Sequence, residues 1–187
     1  SLKSEYSGLM VLHGDDSQSD IALLQSSDFL VNEGQIETSL LPNLYSSVNN
    51  GKIPGKGVSI IQSVTNYLSN VDRATVVAMT ESGGVWAKYA DFSRGGDWNS
   101  MFNPGINKGV PQYYTPQGQV VYAVDNGQIF PRANNIYAIY PIASQAVTQY
   151  YASSPFFEVS GRAQGFFYDK NSRGFVISTN SSAFSVF

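Results

Sequence analysis

A strand–turn–strand unit that returns at a near-constant interval constrains this chain more than any other feature. Residues 119–132 (QVVYAVDNGQIFPR) hold its clearest copy. Val120, Tyr122 and Val124 alternate with Val121 and Ala123 at the two-residue period of a strand. Asp125-Asn126-Gly127 offers residues that accept positive φ, which a tight hairpin turn requires. Ile129 restarts the apolar run, and Pro131 limits how far the second strand can pair. Residues 75–89 repeat the design around Ser82-Gly83-Gly84, and residues 164–178 repeat it around residues 169–174. The turn centres fall near residues 83, 126 and 171, at intervals of 43 and 45 residues. An interval of roughly 40–50 residues is that of β-propeller blades. The expected fold is all-β, with propeller-like repeats of antiparallel four-stranded blades, about four of them in this chain. A β-sandwich is the alternative, although its strands usually recur every 8–12 residues or about that.

Other segments fill in the pattern. Residues 8–25 read as a further hairpin, with strands at 9–13 and 21–25 and a turn at Gly14-Asp15-Asp16-Ser17. Residues 37–48 carry some helical spacing that Pro42 interrupts, so a short helix or an ordered loop is expected. The glycine-rich residues 51–57 lack the Gly-Lys-Ser/Thr ending of a phosphate loop and read as a turn before a short strand at 58–62. Residues 91–111 are rich in Gly, Asn and Pro, with one helical turn expected from Asp97 to Phe102 and Asp97 near its start. Apolar residues at 135–141 and 149–157 precede the last hairpin. A length of 187 residues suits one domain. With Ser1 in place of an initiating Met and an apolar, uncapped end at Phe187, residues 1–187 are expected to be a piece of a larger protein.

Charge and side-chain inventory exclude whole classes of function. Charged residues are 13% of the chain, about half the usual share. The net charge is −3, and no Lys or Arg stands next to another, so the cationic footprint of a nucleic-acid binder is missing. No apolar run approaches the ~20 residues of a transmembrane helix. The chain has no cysteine, which excludes a thiolate nucleophile, Cys-ligated zinc and disulfides. His13 is the single histidine and sits in a strand pattern, so neither a His-dependent triad nor a transition-metal site is expected. Asp15, Asp16 and Asp20 lack the ligand order of a calcium loop and read as a solvated turn. A glycoside hydrolase or lyase needs two carboxylates about 5–10 Å apart. Asp15, Glu33, Glu81, Asp91, Asp97 and Glu158 are candidates, but no spacing pairs any two. The expectation is a non-catalytic chain without cofactor or metal.

Aromatic residues are the more informative group. Twelve Tyr, eleven Phe and two Trp make up 13% of the chain. Tyr and Trp offer a flat apolar face with a polar tip, which suits sugar rings and protein partners. Most of them are expected in the core, Trp86 included. Trp98, Tyr113 and Tyr114 fall in what reads as a connection between hairpins, where function concentrates, and are the candidate ligand-binding residues. The expected ligand is a polysaccharide, with another protein as the alternative.

Three stretches carry a family resemblance. Gly8-Leu9-Met10-Val11-Leu12 with the acidic turn and Ser19-Asp20-Ile21 resembles the entry into the C-terminal region of the PKD-like lipoproteins of Bacteroidetes. The stretch from Asn50 to Lys56 (NGKIPGK) is similar to that family's Asn-Gly-x-x-Pro-Gly-Lys-Pro turn, with Gly57 where Pro is common. The stretch from Phe166 to Phe175 (FFYDKNSRGF) resembles its Tyr-Asp hairpin, with Gly174 inserted before Phe175. The resemblance implies a propeller-like repeat region of a cell-envelope lipoprotein, with a signal peptide, a lipid anchor and PKD-like domains upstream. It implies no catalytic residues.

Overall fold

The computed structural model describes residues 6–28, 37–64, 74–102, 104–117, 120–133, 165–169, 173–178 and 184–186. These residues are mostly strand, arranged in four antiparallel sheets with one short α-helix and one 3-10 turn among them. The chain divides into two compact units, with described residues up to Gly96 in the first and those from Asp97 in the second.

In the first unit, β1 (Leu9–Gly14) and β2 (Gln18–Gln25) form the expected hairpin, in a register that sets Leu12 opposite Ile21. β2 starts three residues before the apolar pattern does, because Asp15 tightens the turn by accepting hydrogen bonds from the Ser17 and Gln18 N–H groups. The other edge of β2 holds two short strands, β3 (Ser39–Leu41) and β4 (Ile53–Pro54). Pro42 ends β3, and α1 (Leu44–Asn49) follows, so the segment with helical spacing is part strand and part helix. Asn50 closes the helix in the left-handed region at φ 56°.

The second sheet is a meander of β5 (Gly57–Val64), β6 (Ala74–Thr80), β7 (Gly83–Lys88) and β8 (Arg94–Asp97), in chain order. Every residue of β6 is buried. Ala74, Val76 and Ala78 join Ile21, Leu23, Leu44, Tyr45 and Ile53 in one apolar cluster, which Met10 and Leu12 also pack against. Val77 lies opposite Trp86, a core residue. Gly95 of β8 lies so close to that indole that a Cβ would come within 1.9 Å of it. The β6–β7 turn is Glu81-Ser82, one place earlier than the sequence pattern suggests. Gly83 and Gly84 belong instead to β7, at φ 125° and 119°, a backbone open to glycine alone.

In the second unit, β10 (Val120–Asp125) is the centre of a three-stranded sheet between β9 (Pro111–Gln117) and β11 (Gln128–Ala133). Asn126 and Gly127 form the two-residue turn with φ of 47° and 80°, the geometry that Asn-Gly favours. Pro131 is opposite Tyr122, and pairing continues past it to Ala133. That is tolerated because β11 is an edge strand. β12 (Gly165–Asp169), β13 (Gly174–Ser178) and β14 (Phe184–Val186) form the last meander. The apolar residues at 135–141 and 149–157 lie outside the described residues. Among the described residues no helix is long and apolar enough to cross a membrane.

Candidate functional site

Trp98, Tyr113 and Tyr114 do not form an exposed aromatic surface. Tyr113 and Tyr114 lie in β9 rather than in a loop, opposite Val124 and Ala123 of β10. Trp98 and Tyr114 are each 1% exposed, while Tyr113 is half-buried. The Trp98 ring packs on Phe102 at 5.2 Å and edge-on to Tyr114 at 6.4 Å, and Phe102 continues the cluster to Phe130. Trp98 and Tyr114 are therefore core residues, and neither presents a face on which a sugar ring can stack.

What organises this core is a buried carboxylate. Asp125 ends β10 and has no exposed surface. Its Oδ2 accepts hydrogen bonds from Trp98 Nε1 at 2.7 Å, Asn107 Nδ2 at 3.2 Å and the Val110 N–H at 3.0 Å. Its Oδ1 accepts from the Lys108 N–H at 2.6 Å. The connection from Trp98 to Val110 thus wraps one side chain, and the Asn126 N–H donates to Val110 O to close it. Four donors converging on one carboxylate satisfy it without a counter-ion, which is what permits its burial. At the start of the same connection, Asp97 Oδ1 accepts from the Ser100 N–H, just before the 3-10 turn of Asn99–Met101.

The first unit has a cleft of ≈ 240 Å³ lined by Leu12, His13, Gly14, Asp15, Asp16, Lys56 and Gly57. Its ionisable groups are mostly spoken for by local structure. His13 Nε2 lies 2.7 Å from Pro42 O, the geometry of a donated hydrogen bond. Lys56 pairs with Asp16 at 2.9 Å, and that bond raises the Lys56 ammonium above its ordinary range. Asp15 Oδ1 accepts from the Ser17 hydroxyl and from the Ser17 and Gln18 N–H groups. These bonds, the hydroxyl first, hold its carboxyl below the usual carboxylate range. Asp20 is buried, and its Oδ1 accepts from the Ile21 and Ser46 N–H groups. The three acids of the hairpin are therefore engaged in three separate places. Among the described residues no group of three His, Cys, Asp or Glu comes together as metal ligands.

Asp91 repeats the Asp15 arrangement. Its Oδ1 accepts from the Ser93 hydroxyl at 2.6 Å and the Ser93 N–H at 2.9 Å, and those bonds lower its carboxyl. Asp15, Asp91 and Asp97, considered above as hydrolytic acids, each spend an oxygen on shaping a turn. Glu81 is exposed in the β6–β7 turn, and Glu33 and Glu158 lie outside the described residues.

Among the described residues the exposed large apolar side chains are aliphatic apart from Phe175. In the first sheet Leu9 pairs with Leu24, and Leu24 with Leu40, so the three form one row across β1, β2 and β3. Leu9 is 53% exposed and Leu40 61%, and Val11 follows on the same face of β1. Sequence reasoning missed this row. Its signal is the uninterrupted apolar run Leu9-Met10-Val11-Leu12, in which only alternate residues can face one core. Comparison with known protein families and with curated proteins finds no match.

Proposed function

We propose that the chain is a non-catalytic binding or scaffold module of the cell envelope, with propeller-like blades and a protein as its partner. Successive antiparallel meanders of three or four strands support the blade reading. The envelope setting rests on the resemblance to PKD-like lipoproteins. The observation that carries the choice of partner is the Leu9–Leu24–Leu40 row. Exposed aliphatic side chains in a row across a sheet face match an apolar protein surface. They offer nothing to a neutral sugar, which is held by aromatic stacking and hydrogen bonds. The low charge argues against electrostatic steering of either partner.

A second reading retains the polysaccharide. Tyr168 and Phe175 stand opposite each other on β12 and β13 with ring centroids 5.6 Å apart, and Phe175 is 46% exposed. The two readings separate in one comparison. The double variant Leu9→Lys/Leu40→Lys changes exposed positions, each worth within about 0.5 kcal/mol of stability, so its melting temperature stays close to that of the parent. It is expected to lose the protein that the parent chain retains from an envelope extract, while calorimetry with neutral glucans gives no heat for either. Glucan binding that survives this variant and disappears in Phe175→Ala would replace the protein reading with the polysaccharide one.

A further inference from the structure

The sequence holds two Asn-Gly pairs, Asn50-Gly51 and Asn126-Gly127, and the fold treats them differently. In both, Asn is exposed and left-handed, at φ 56° and 47°. At the second pair Gly127 is buried, and its N–H donates to Gln112 Oε1. The turn is also clamped by the Asn126 N–H on Val110 O and by the β10–β11 pairing on both sides. At the first pair Gly51 is exposed and a Cβ there would meet nothing within 4 Å, so neither burial nor a flanking strand pair encloses the turn.

We propose that Asn50 is a site of spontaneous deamidation in the folded protein, and that Asn126 is protected by its hydrogen bonds. The Gly51 nitrogen, on losing its proton to base, attacks Cγ of Asn50. The new C–N bond closes a succinimide, and Nδ2 leaves as ammonia. Water then opens the ring at either carbonyl, giving aspartate or isoaspartate. At Asn126 the nucleophile is held as a donor, and the turn must open before it can react.

The site sits where the product matters. The new carboxylate lies at the C-terminus of α1, the end that disfavours negative charge. Its neighbour Asn49 clamps the helix to the β7–β8 connection. Asn49 Nδ2 donates to Tyr45 O and Phe92 O, and its Oδ1 accepts from the Arg94 N–H. Isoaspartate would lengthen the main chain next to that clamp.

The test is incubation of the full chain at mildly alkaline pH, with peptide mapping by mass spectrometry and enzymatic methylation of isoaspartate. In the native protein Asn50 is expected to convert roughly tenfold faster than Asn126 or more, and in denaturant the two rates converge. Gly51→Ala fits the open space at that position, so it should leave the circular dichroism spectrum unchanged while suppressing conversion at Asn50. Equal native rates at the two sites, or an Asn50 that converts only in denaturant or not at all, would overturn the proposal.

Discussion

Asp125 is the side chain on which the second unit most depends, because it is the shared acceptor of one ring, one amide and two main-chain donors. Removing it strands the buried Trp98 Nε1–H and unpairs three part-buried donors, and each buried donor left unpaired costs about 1–3 kcal/mol. Asp125→Ala is therefore expected to destabilise by about 3 kcal/mol or more, read from denaturant unfolding. Trp98→Phe keeps most of the ring packing and strands a single bond on Asp125, so it should cost visibly less. A larger loss from Trp98→Phe than from Asp125→Ala would show that the ring, not the carboxylate, holds the connection. None of this was legible around Trp98, whose neighbours Asp97, Asn99 and Ser100 all read as surface. The partner is 27 residues away. The readable hint was Asp125 itself, an acid at the end of the apolar run Val-Val-Tyr-Ala-Val that a buried strand end must pair.

Among elements, the turns are the parts that local chemistry writes most clearly. The Asn126-Gly127 turn and the Asp15 turn come out where the sequence puts them, because positive φ and Asx hydrogen bonding are properties of the residues present. β9 was not legible. Pro111 and Pro116 argue against a strand, and only its place at the edge of its sheet accommodates them. The shared Asp-x-Ser turns carry a pH signature. The folded chain holds the Asp15 and Asp91 carboxyls below their ordinary range, while the unfolded chain does not. Protons therefore bind the unfolded chain more readily, and the stability these turns contribute is present above the ordinary carboxylate range and fades as pH falls through it. Thermal melts across that range should show Asp15→Asn/Asp91→Asn less stable than the parent at neutral pH, with the gap narrowing on acidification. A gap that stays constant or widens would mean that the carboxylates do not act through these bonds.

At the scale of the molecule, both tryptophans and several other described aromatic residues are interior, and the row proposed above as a partner surface is aliphatic. Composition alone supports the opposite assignment, because a Tyr-rich chain of low charge resembles a sugar binder until burial is known. Trp86 and Trp98 are the only tryptophans in the sequence, and they are 4% and 1% exposed. Fluorescence therefore addresses the claim directly in the unmodified protein. The native emission should be blue-shifted, weakly quenched by iodide and unchanged by added polysaccharide, with all three properties altered on unfolding. A red-shifted, readily quenched native emission, or one that shifts on titration with a glycan, would place a tryptophan at the surface and contradict the account.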